Sequence, residues 1–174
     1  MRLFIAVRFG QNTMDKLVSL RDELRVNSGR GNFTPDENLH LTLVFIGECD
    51  IKQTESVKNC VDTTPFTPFD TVFDRIGRFG RNGGDIWWAG VRADNALTDL
   101  QKRLTDGFVQ AGFSVDTRAY SPHVTLGREV ETIIAPRSVA PFGETVRAVD
   151  VMRSERVDGR LVYTSIYRKT CAAV

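Results

Sequence analysis

The chain is poor in two residue types that often mark functional sites: its 174 residues include two histidines and three cysteines. An odd number of cysteines without metal-site spacing excludes a disulfide framework and a cysteine-rich zinc site, and it favours free thiols in a reducing cytoplasm. No apolar run approaches the roughly 18 residues that a membrane span needs. No small-residue cleavage site follows the apolar stretch MRLFIAVRF, so a secretory signal is not expected. The sequence therefore predicts a cytoplasmic protein that does not span a membrane.

An excess of charge of one sign is also missing, because 23 basic and 22 acidic residues leave a formal net charge of +1. A protein that grips many phosphates along a nucleic acid is usually far more basic, so any nucleic-acid partner should be small or contacted only at one end. The hydrophobic fraction of 41% is typical of a soluble globular protein. No linker or low-complexity segment divides the chain. We predict one domain over residues 1–174, acting as a monomer without an obligate protein partner.

Apolar periodicity predicts that strands and helices alternate along the chain. The predicted strands cover residues 2–9, 39–46, 71–76, 85–91, 122–128, 145–153 and 161–168. The predicted helices start at Asn12 or Thr13, at Asp50 and at Asp94 or Asn95, while the segment NSGRGN predicts a turn or mobile loop. This pattern indicates an α+β fold with two similar lobes, each an antiparallel or mixed sheet with packed helices.

Both histidines begin the same four-residue pattern, His-x-Thr-Leu. The first is HLTL at residues 40–43 and the second is HVTL at residues 123–126. Shuffling this composition would place both histidines in such a pattern about four times in 100,000. Each pattern lies in a predicted strand, where residues two apart share a face. Each histidine and its threonine should therefore face a common cleft, while the apolar residues between them point into the core.

Two imidazoles that face one cleft point to acid–base chemistry at phosphorus. An ordinary imidazole pKa near 6.5 lets His40 and His123 hold or release a proton close to neutral pH. A neutral imidazole can take a proton from an attacking water while a protonated one gives a proton to the leaving alkoxide. The hydroxyls of Thr42 and Thr125 can donate to phosphate oxygens, and the Arg128 guanidinium matches two of those oxygens at once. This scheme requires no metal and no cofactor.

Other interpretations of the same residues stay open. A lone strand histidine is more often structural than catalytic, threonine favours strands by propensity alone, and Arg128 could be an ordinary surface cation. A zinc site would need both histidines and an acid, but the spacing is neither H-x-x-x-H nor H-E-x-x-H, and no acidic residue adjoins either pattern. The matched pair of patterns favours an acid–base site over the structural and metal alternatives.

The two patterns and their surroundings resemble the 2H phosphoesterase superfamily. Within it, they are most similar to the bacterial and archaeal RNA 2′,3′-cyclic phosphodiesterases, also called 2′-5′ RNA ligases or LigT-like proteins. The resemblance extends over nearly the whole chain. It is carried by the first strand RLFIAV, the first motif region PDENLHLTLVFIGE, the mid-chain hairpin GRFGRNGGDIWWAGV, the second motif SPHVTLGR and the closing hairpin VMRSERVDGRLVYTSI.

The resemblance implies a bilobal fold around a central, water-filled cleft with one histidine on each side. It also implies metal-independent hydrolysis of an RNA or nucleotide 2′,3′-cyclic phosphate to a 2′-phosphomonoester, and some relatives join or cleave 2′-5′ RNA linkages. In such enzymes the first-motif histidine is the proton donor to the leaving O3′, and the second activates water. Carried over to this chain, His40 is the acid and His123 is the base. Thr42, Thr125 and Arg128 would then hold the phosphate.

Several departures from the family pattern concern the rim of the cleft. Phe9-Gly10-Gln11 replaces prolines that are common after the first strand, Phe33 stands where a tryptophan is common, and Gly127 replaces an alanine. Phe9, Phe33, Phe79 and Tyr120 could stack on a base or belong to the core. Two other functions stay open: a non-catalytic module that binds RNA ends or nucleotides, and a hydrolase of a different cyclic phosphate.

Overall fold

The structure is a computed structural model that describes residues 1–92 and 94–172. Strands and helices alternate as predicted only in the first part of the chain, because four consecutive strands follow the last helix. The strands are β1 (Arg2–Val7), β2 (Ser28–Phe33), β3 (Leu41–Glu48), β4 (Phe69–Phe79), β5 (Asp85–Val91), β6 (His123–Thr132), β7 (Arg137–Val146), β8 (Ala148–Val157) and β9 (Arg160–Thr170). The helices are α1 (Gln11–Val26), α2 (Ile51–Thr63) and α3 (Asn95–Gln110), with a 3₁₀ turn at Asp36–Asn38. The predicted α+β class is confirmed.

Each of the two sheets forms one lobe. The first lobe has the strand order β3-β1-β8-β9 and carries α2 and α3, and the second has the order β2-β6-β5-β4-β7 and carries α1. Every strand pair is antiparallel. The lobes do not correspond to the two halves of the sequence, because β1 pairs with β8 from the other end of the chain. Buried side chains of both sheets belong to one hydrophobic cluster, so the core is continuous between the lobes.

The strand β1 illustrates why an unbroken apolar run lies at the centre of the first sheet. Leu3, Ile5 and Val7 are fully buried in the main hydrophobic cluster. Phe4 and Ala6 lie on the opposite side of the strand, in a second small cluster with Met152. A strand that is covered on both faces needs apolar residues at every position, which is the pattern that residues 3–7 show.

Local capping places the helix starts. The Asp50 carboxylate and Gln53 form a capping box at the start of α2, and the Asp94 carboxylate accepts backbone N–H groups at the start of α3. These two starts confirm the prediction. Helix α1 begins instead at Gln11, after Gly10, whose N–H donates to the Glu144 carboxylate over 2.8 Å. A cap that comes from a distant strand leaves no local sequence signal.

Two stretches differ from the sequence prediction. The segment NSGRGN, predicted as a loop, lies mostly in the edge strand β2, which its backbone pairing with β6 holds in place. Of its two glycines, Gly31 allows close packing, because a Cβ there would lie 2.7 Å from the Phe33 ring. The single strand predicted over residues 145–153 is wrong, because the chain breaks at Arg147 into β7 and β8, which belong to different sheets.

The predicted closing hairpin is confirmed as β8 and β9, with its turn at Asp158-Gly159. Both turn residues have positive φ angles, of 49° and 78°, as a two-residue type I′ turn requires. Among the described residues, the three α-helices are each too short or too polar to cross a membrane.

Candidate active site

His40 lies immediately before β3, where the chain leaves the 3₁₀ turn and enters the first sheet. Its Nδ1 lies 2.6 Å from the carbonyl oxygen of Asn38, and its Nε2 lies 2.8 Å from the Thr42 hydroxyl. Leu41 and Leu43, which alternate with these residues, are buried in the core. The predicted division of this strand into a cleft face and a core face is therefore confirmed.

His123 is the first residue of β6 in the second sheet. Its Nδ1 lies 2.7 Å from the carbonyl oxygen of Ser121, which is two residues before it, as Asn38 is two residues before His40. Val124 and Leu126 are fully buried, so this strand has the same two faces as the first. The two lobes hold their histidines by the same local geometry.

These Nδ1 contacts determine the tautomer of both rings. A carbonyl oxygen accepts but cannot donate, so Nδ1 of His40 and of His123 must carry the hydrogen. Each neutral ring then has its lone pair on Nε2, and each protonated ring has a donating Nε2–H. Both imidazoles can therefore exchange a proton through Nε2 without changing their backbone contact.

Aromatic rings pack around both imidazoles. Phe4 and Tyr163 lie 4.9 and 5.2 Å from the His40 ring, measured between ring centroids. Phe79 lies 5.2 Å from the His123 ring, and Trp88 lies 6.3 Å from it. These rings limit how far each imidazole can turn or shift, and they keep water away from one side of it.

Burial lowers the pKa of both imidazoles from the ordinary value of 6.5, because the charged ring loses hydration. The hydrogen bond to the Asn38 carbonyl opposes this effect at His40, while the positive charges of His123 and Arg128 lower its pKa further. At His123, the Ser121 carbonyl opposes burial and Arg128 adds to it. Both rings therefore gain a proton less readily than an exposed histidine.

Arg128 lies five residues after His123, on the same strand. The next residue, Glu129, has a φ angle of 54°, and the pairing of β6 with β2 is irregular here, which marks a bulge. The Arg128 side chain is exposed. In the described residues it has no salt-bridge or hydrogen-bond partner, so its donors are available to an anion.

One cavity of about 940 Å³ includes all five residues predicted for the site: His40, Thr42, His123, Thr125 and Arg128. The cleft runs between the two sheets, with the first two residues on one side and the other three on the opposite side. Its volume is that of a pocket for a small-molecule ligand such as a nucleotide. The arrangement can hold a phosphate between two proton-exchanging Nε2 atoms.

The four aromatic residues considered for base stacking have different places. Phe33 and Tyr120 line the cavity. Phe9 packs on Phe73 in the core, with 5.4 Å between ring centroids, and Phe79 packs beside His123 rather than along the cavity. Stacking therefore stays a prediction for the first two residues and is not supported for the other two.

Tyr163 also lines the cavity beside His40, although no sequence pattern marks it as a site residue. It belongs to a correctly predicted strand, but only the sheet order brings β9 close to the first motif. Arg160 and Arg118 also line the cavity; no local pattern marks either of them. Within residues 1–92 and 94–172, no group of three or more His, Cys, Asp or Glu side chains could hold a metal ion.

Comparison with known proteins agrees with this architecture. The family model of the 2′-5′ RNA ligase superfamily matches residues 15–158. The chain is 32% identical over 151 residues to the RNA 2′,3′-cyclic phosphodiesterase of Archaeoglobus fulgidus, covering 83% of this chain and 85% of that protein. It is 29% identical over 177 residues to the protein of the same name from Methanothermobacter thermautotrophicus, covering 95% and 96%.

Among solved structures, the crystal structure of E. coli LigT complexed with 3′-AMP superimposes with a TM-score of 0.84 at 22% identity. The superposition covers 99% of this chain and 98% of that one, and at this identity the likeness concerns the fold. The match of the family model to most of the chain goes further than the fold. The chain belongs to the 2′-5′ RNA ligase superfamily.

Proposed function

We propose that this protein hydrolyses the 2′,3′-cyclic phosphate at the end of an RNA or nucleotide to a 2′-phosphomonoester, using His40 and His123 as acid and base. One observation carries the proposal: both rings have Nδ1 bonded to a backbone carbonyl, and both line one cavity with Arg128, which has no partner within residues 1–92 and 94–172. This arrangement suits proton transfer at Nε2 on two sides of a bound phosphate.

In the proposed reaction, neutral His123 takes a proton from water at its Nε2 as the water oxygen attacks phosphorus. The bond between phosphorus and O3′ breaks, and protonated His40 gives its Nε2 proton to that oxygen. The bond to O2′ remains, so the product is a 2′-phosphate with a free 3′-hydroxyl. The assignment of acid and base follows the family resemblance, and the place of both rings in one cavity supports their action as a pair.

Thr42, Thr125 and Arg128 would hold the non-bridging oxygens while negative charge shifts during the displacement. The guanidinium can contact two oxygens together, and its charge is constant over the working pH range. The names of the two curated relatives support the substrate class, since each is called an RNA 2′,3′-cyclic phosphodiesterase and the chain covers most of their length.

The test is a product-resolved assay on a short RNA with a 2′,3′-cyclic phosphate end, in the presence of EDTA. We expect a 2′-phosphate product from the wild type and a loss of at least 10²-fold in activity for His40→Ala and for His123→Ala. Tyr167→Phe, which changes a hydroxyl outside the cavity, serves as the control and should keep full activity. Activity that survives both alanine changes would refute the proposal, and a 3′-phosphate product would refute the assignment of the acid.

The same assay separates the two other functions that the sequence leaves open. A binding module would hold the cyclic phosphate tightly and form no product over hours. A hydrolase of a different cyclic phosphate would act faster on ADP-ribose cyclic phosphate than on either an RNA end or a mononucleotide 2′,3′-cyclic phosphate. Comparing these three substrates under one set of conditions therefore identifies the preferred class.

The proposed chemistry also accounts for 2′-5′ ligation. If an RNA 5′-hydroxyl replaces the attacking water, loss of O3′ leaves phosphorus joined to O2′ and to the incoming O5′. This product is a 2′-5′ linkage, and the two imidazoles keep the same roles. An RNA with a free 5′-hydroxyl, added to the hydrolysis assay, should yield some of this joined product.

We further propose that the protein acts as a cytoplasmic monomer. Support for the compartment comes from Cys49, Cys60 and Cys171, which are free thiols in the structure, as is usual in a reducing compartment. Burial raises the pKa of the Cys49 and Cys60 thiols, which disfavours the reactive thiolate. Light scattering after gel filtration should give a mass near 19.5 kDa, and cell fractionation tests the compartment.

A further inference from the structure

The chain passes from one lobe to the other at several points, and two of these crossings end at the histidines. The first runs from β2 in the second sheet to β3 in the first, and it reaches His40. The second runs from α3, which packs on the first lobe, to β6 in the second sheet, and it reaches His123. The path of these crossings therefore affects where each imidazole lies.

A side-chain hydroxyl anchors each crossing to the lobe that it leaves. The Thr34 hydroxyl donates to the carbonyl oxygen of Thr125 over 2.9 Å, six residues before His40. The Tyr120 hydroxyl donates to the carbonyl oxygen of Thr42 over 2.8 Å, three residues before His123. The acceptors are the backbone carbonyls of the two motif threonines. Each histidine is thus tied, through its own crossing, to the threonine of the opposite motif.

Further contacts hold the Thr34 anchor, and burial keeps the Tyr120 hydroxyl protonated. The Thr34 N–H donates to the Leu126 carbonyl over 2.9 Å, and the Thr34 carbonyl accepts from the guanidinium of Arg21 over 2.6 Å. The same guanidinium pairs with Asp36 at 2.6 Å, and its side chain is only 7% exposed. Burial raises the pKa of Tyr120 far above its usual range, so its hydroxyl stays a donor at any working pH.

We propose that Tyr120 and Thr34 are positioning residues that set the separation of the two imidazoles across the cleft. The proposal rests on the proposed function in one respect, since the separation matters for catalysis only if both rings act on one phosphate. The strands β3 and β6 belong to different sheets. No ladder of backbone hydrogen bonds therefore joins the two motif strands to each other. Their connection is the shared hydrophobic core together with the hydrogen bonds of the crossings, among which the two hydroxyls bond directly to the motif threonines.

The chemistry is sensitive to this distance. In-line displacement at phosphorus needs the base and the acid on opposite sides of the atom, each within hydrogen-bond reach of its oxygen. A displacement of about 1 Å can cost up to 10²-fold in rate even when the groups themselves are intact. Loss of either anchor should therefore lower kcat, because the substrate still binds but the two proton transfers are poorly aligned.

Two other roles are possible for these residues, and each has a different signature. Tyr120 and Thr34 both line the cavity, so they could contact the substrate, in which case KM would change while kcat stayed the same. They could also serve stability alone, in which case the melting temperature would change and the kinetics of the folded enzyme would not. Positioning predicts a lower kcat at an almost constant KM.

The experiment compares Tyr120→Phe and Thr34→Val with matched controls away from the cavity. Tyr167→Phe removes a tyrosine hydroxyl that donates to Asp62 over 2.7 Å. Thr71→Val removes a buried threonine hydroxyl that donates to the Glu144 carbonyl over 3.0 Å. We expect kcat to fall about 10-fold in each of the two test variants, with KM changed less than about twofold, and both controls to match the wild type. Thr34→Ser, which keeps the hydroxyl, should restore kcat.

A second readout does not depend on activity. Because the chain contains two histidines, its proton NMR spectrum should show two imidazole Cε1–H resonances, and both can be titrated. The groups whose charge acts on His40 are His123 and Arg128, and Arg128 also acts on His123. If the two rings move apart in Tyr120→Phe, their repulsion weakens, and the lower of the two titration midpoints should shift to higher pH.

The outcomes are distinct. A lower kcat at constant KM, together with the shifted midpoint, supports the positioning role. A shifted midpoint in a protein that does not hydrolyse cyclic phosphates would support the positioning role and refute the proposed function. Unchanged kcat and unchanged midpoints in both folded variants, or a change in KM alone, would overturn the inference. If Tyr120→Phe does not fold, the comparison of Thr34→Val with Thr34→Ser decides the question in the same way.

Discussion

Removal of the Arg128 guanidinium should damage catalysis while leaving the fold intact. The side chain is exposed and has no protein partner among the described residues, so Arg128→Gln leaves no buried carboxylate without its counter-ion. We expect the free energy of unfolding to change by less than about 0.5 kcal/mol, as for most surface substitutions. We therefore expect arginine at this position to contribute more to ligand binding than to the stability of the fold.

The expected loss follows from the contacts that the guanidinium can make. Removal of one preorganised donor that acts on the transition state costs about 2.7–4 kcal/mol, and each 1.36 kcal/mol corresponds to a tenfold change in rate. The value of kcat/KM should therefore fall about 10²- to 10³-fold in Arg128→Gln. Arg128→Lys keeps the charge but cannot contact two oxygens in a fixed plane, and its activity should lie between the two.

The assay follows the release of 2′-phosphate from a 2′,3′-cyclic nucleotide, with inorganic phosphate as a competitive inhibitor. The inhibition constant for phosphate should rise along with the loss of kcat/KM. The positive charge also lowers the pKa of both histidines, so both imidazole titration midpoints should rise in Arg128→Gln. A variant that retains kcat/KM within threefold of the wild type would refute the assignment of Arg128 to the phosphate.

Three further predictions concern the pH profile, the support of His123 and the unity of the fold. Because both imidazoles have a pKa below 6.5, the form of the enzyme with one protonated and one neutral histidine becomes scarce as the pH rises through neutrality. The pH profile of kcat/KM should therefore have its maximum below pH 6.5. A profile that begins to fall only above pH 7.5 would contradict this prediction. Gly77→Ala would push a Cβ into the Trp88 ring that packs beside His123. Urea unfolding of this variant should therefore show a free energy of unfolding that is lower by about 1–3 kcal/mol. A Cβ in the control Gly29→Ala would meet nothing within 4 Å, so this variant should lose none of this packing energy. If residues 1–174 form one domain, near- and far-ultraviolet circular dichroism should report a single unfolding transition; two separate transitions would mean that the lobes fold independently.

The chemistry-bearing units of this protein could be predicted from local patterns. The alternation of His40, Leu41, Thr42 and Leu43 already divides a strand into a cleft face and a core face, and burial in the structure follows it. Helix starts were predictable where the cap is local, as at Asp50. These features depend on neighbours in the sequence, so the sequence alone contains the information.

Features that depend on distant neighbours could not be predicted in this way. The strand β2 is rich in glycine and has no apolar alternation, and its backbone pairing with β6 holds it in place. Tyr163 lies on β9, and it reaches the site only because β9 pairs with β8, which is itself two strands away from β3 in the sheet. The sequence does not predict the break between β7 and β8 at Arg147, because the segments on both sides have strand-like composition. Only the sheet order separates them.

The order of strands in the first sheet has a consequence for synthesis of the chain. The strand β1 is synthesised early, whereas its partner β8 and the edge strand β9 are synthesised late. A growing chain on the ribosome therefore carries an unpaired apolar edge of β1 until almost the whole sequence has emerged. The sheet beside His40 can close only at that stage, so nascent chains and fragments that end before β8 should lack a working cleft even though both histidines have already been made.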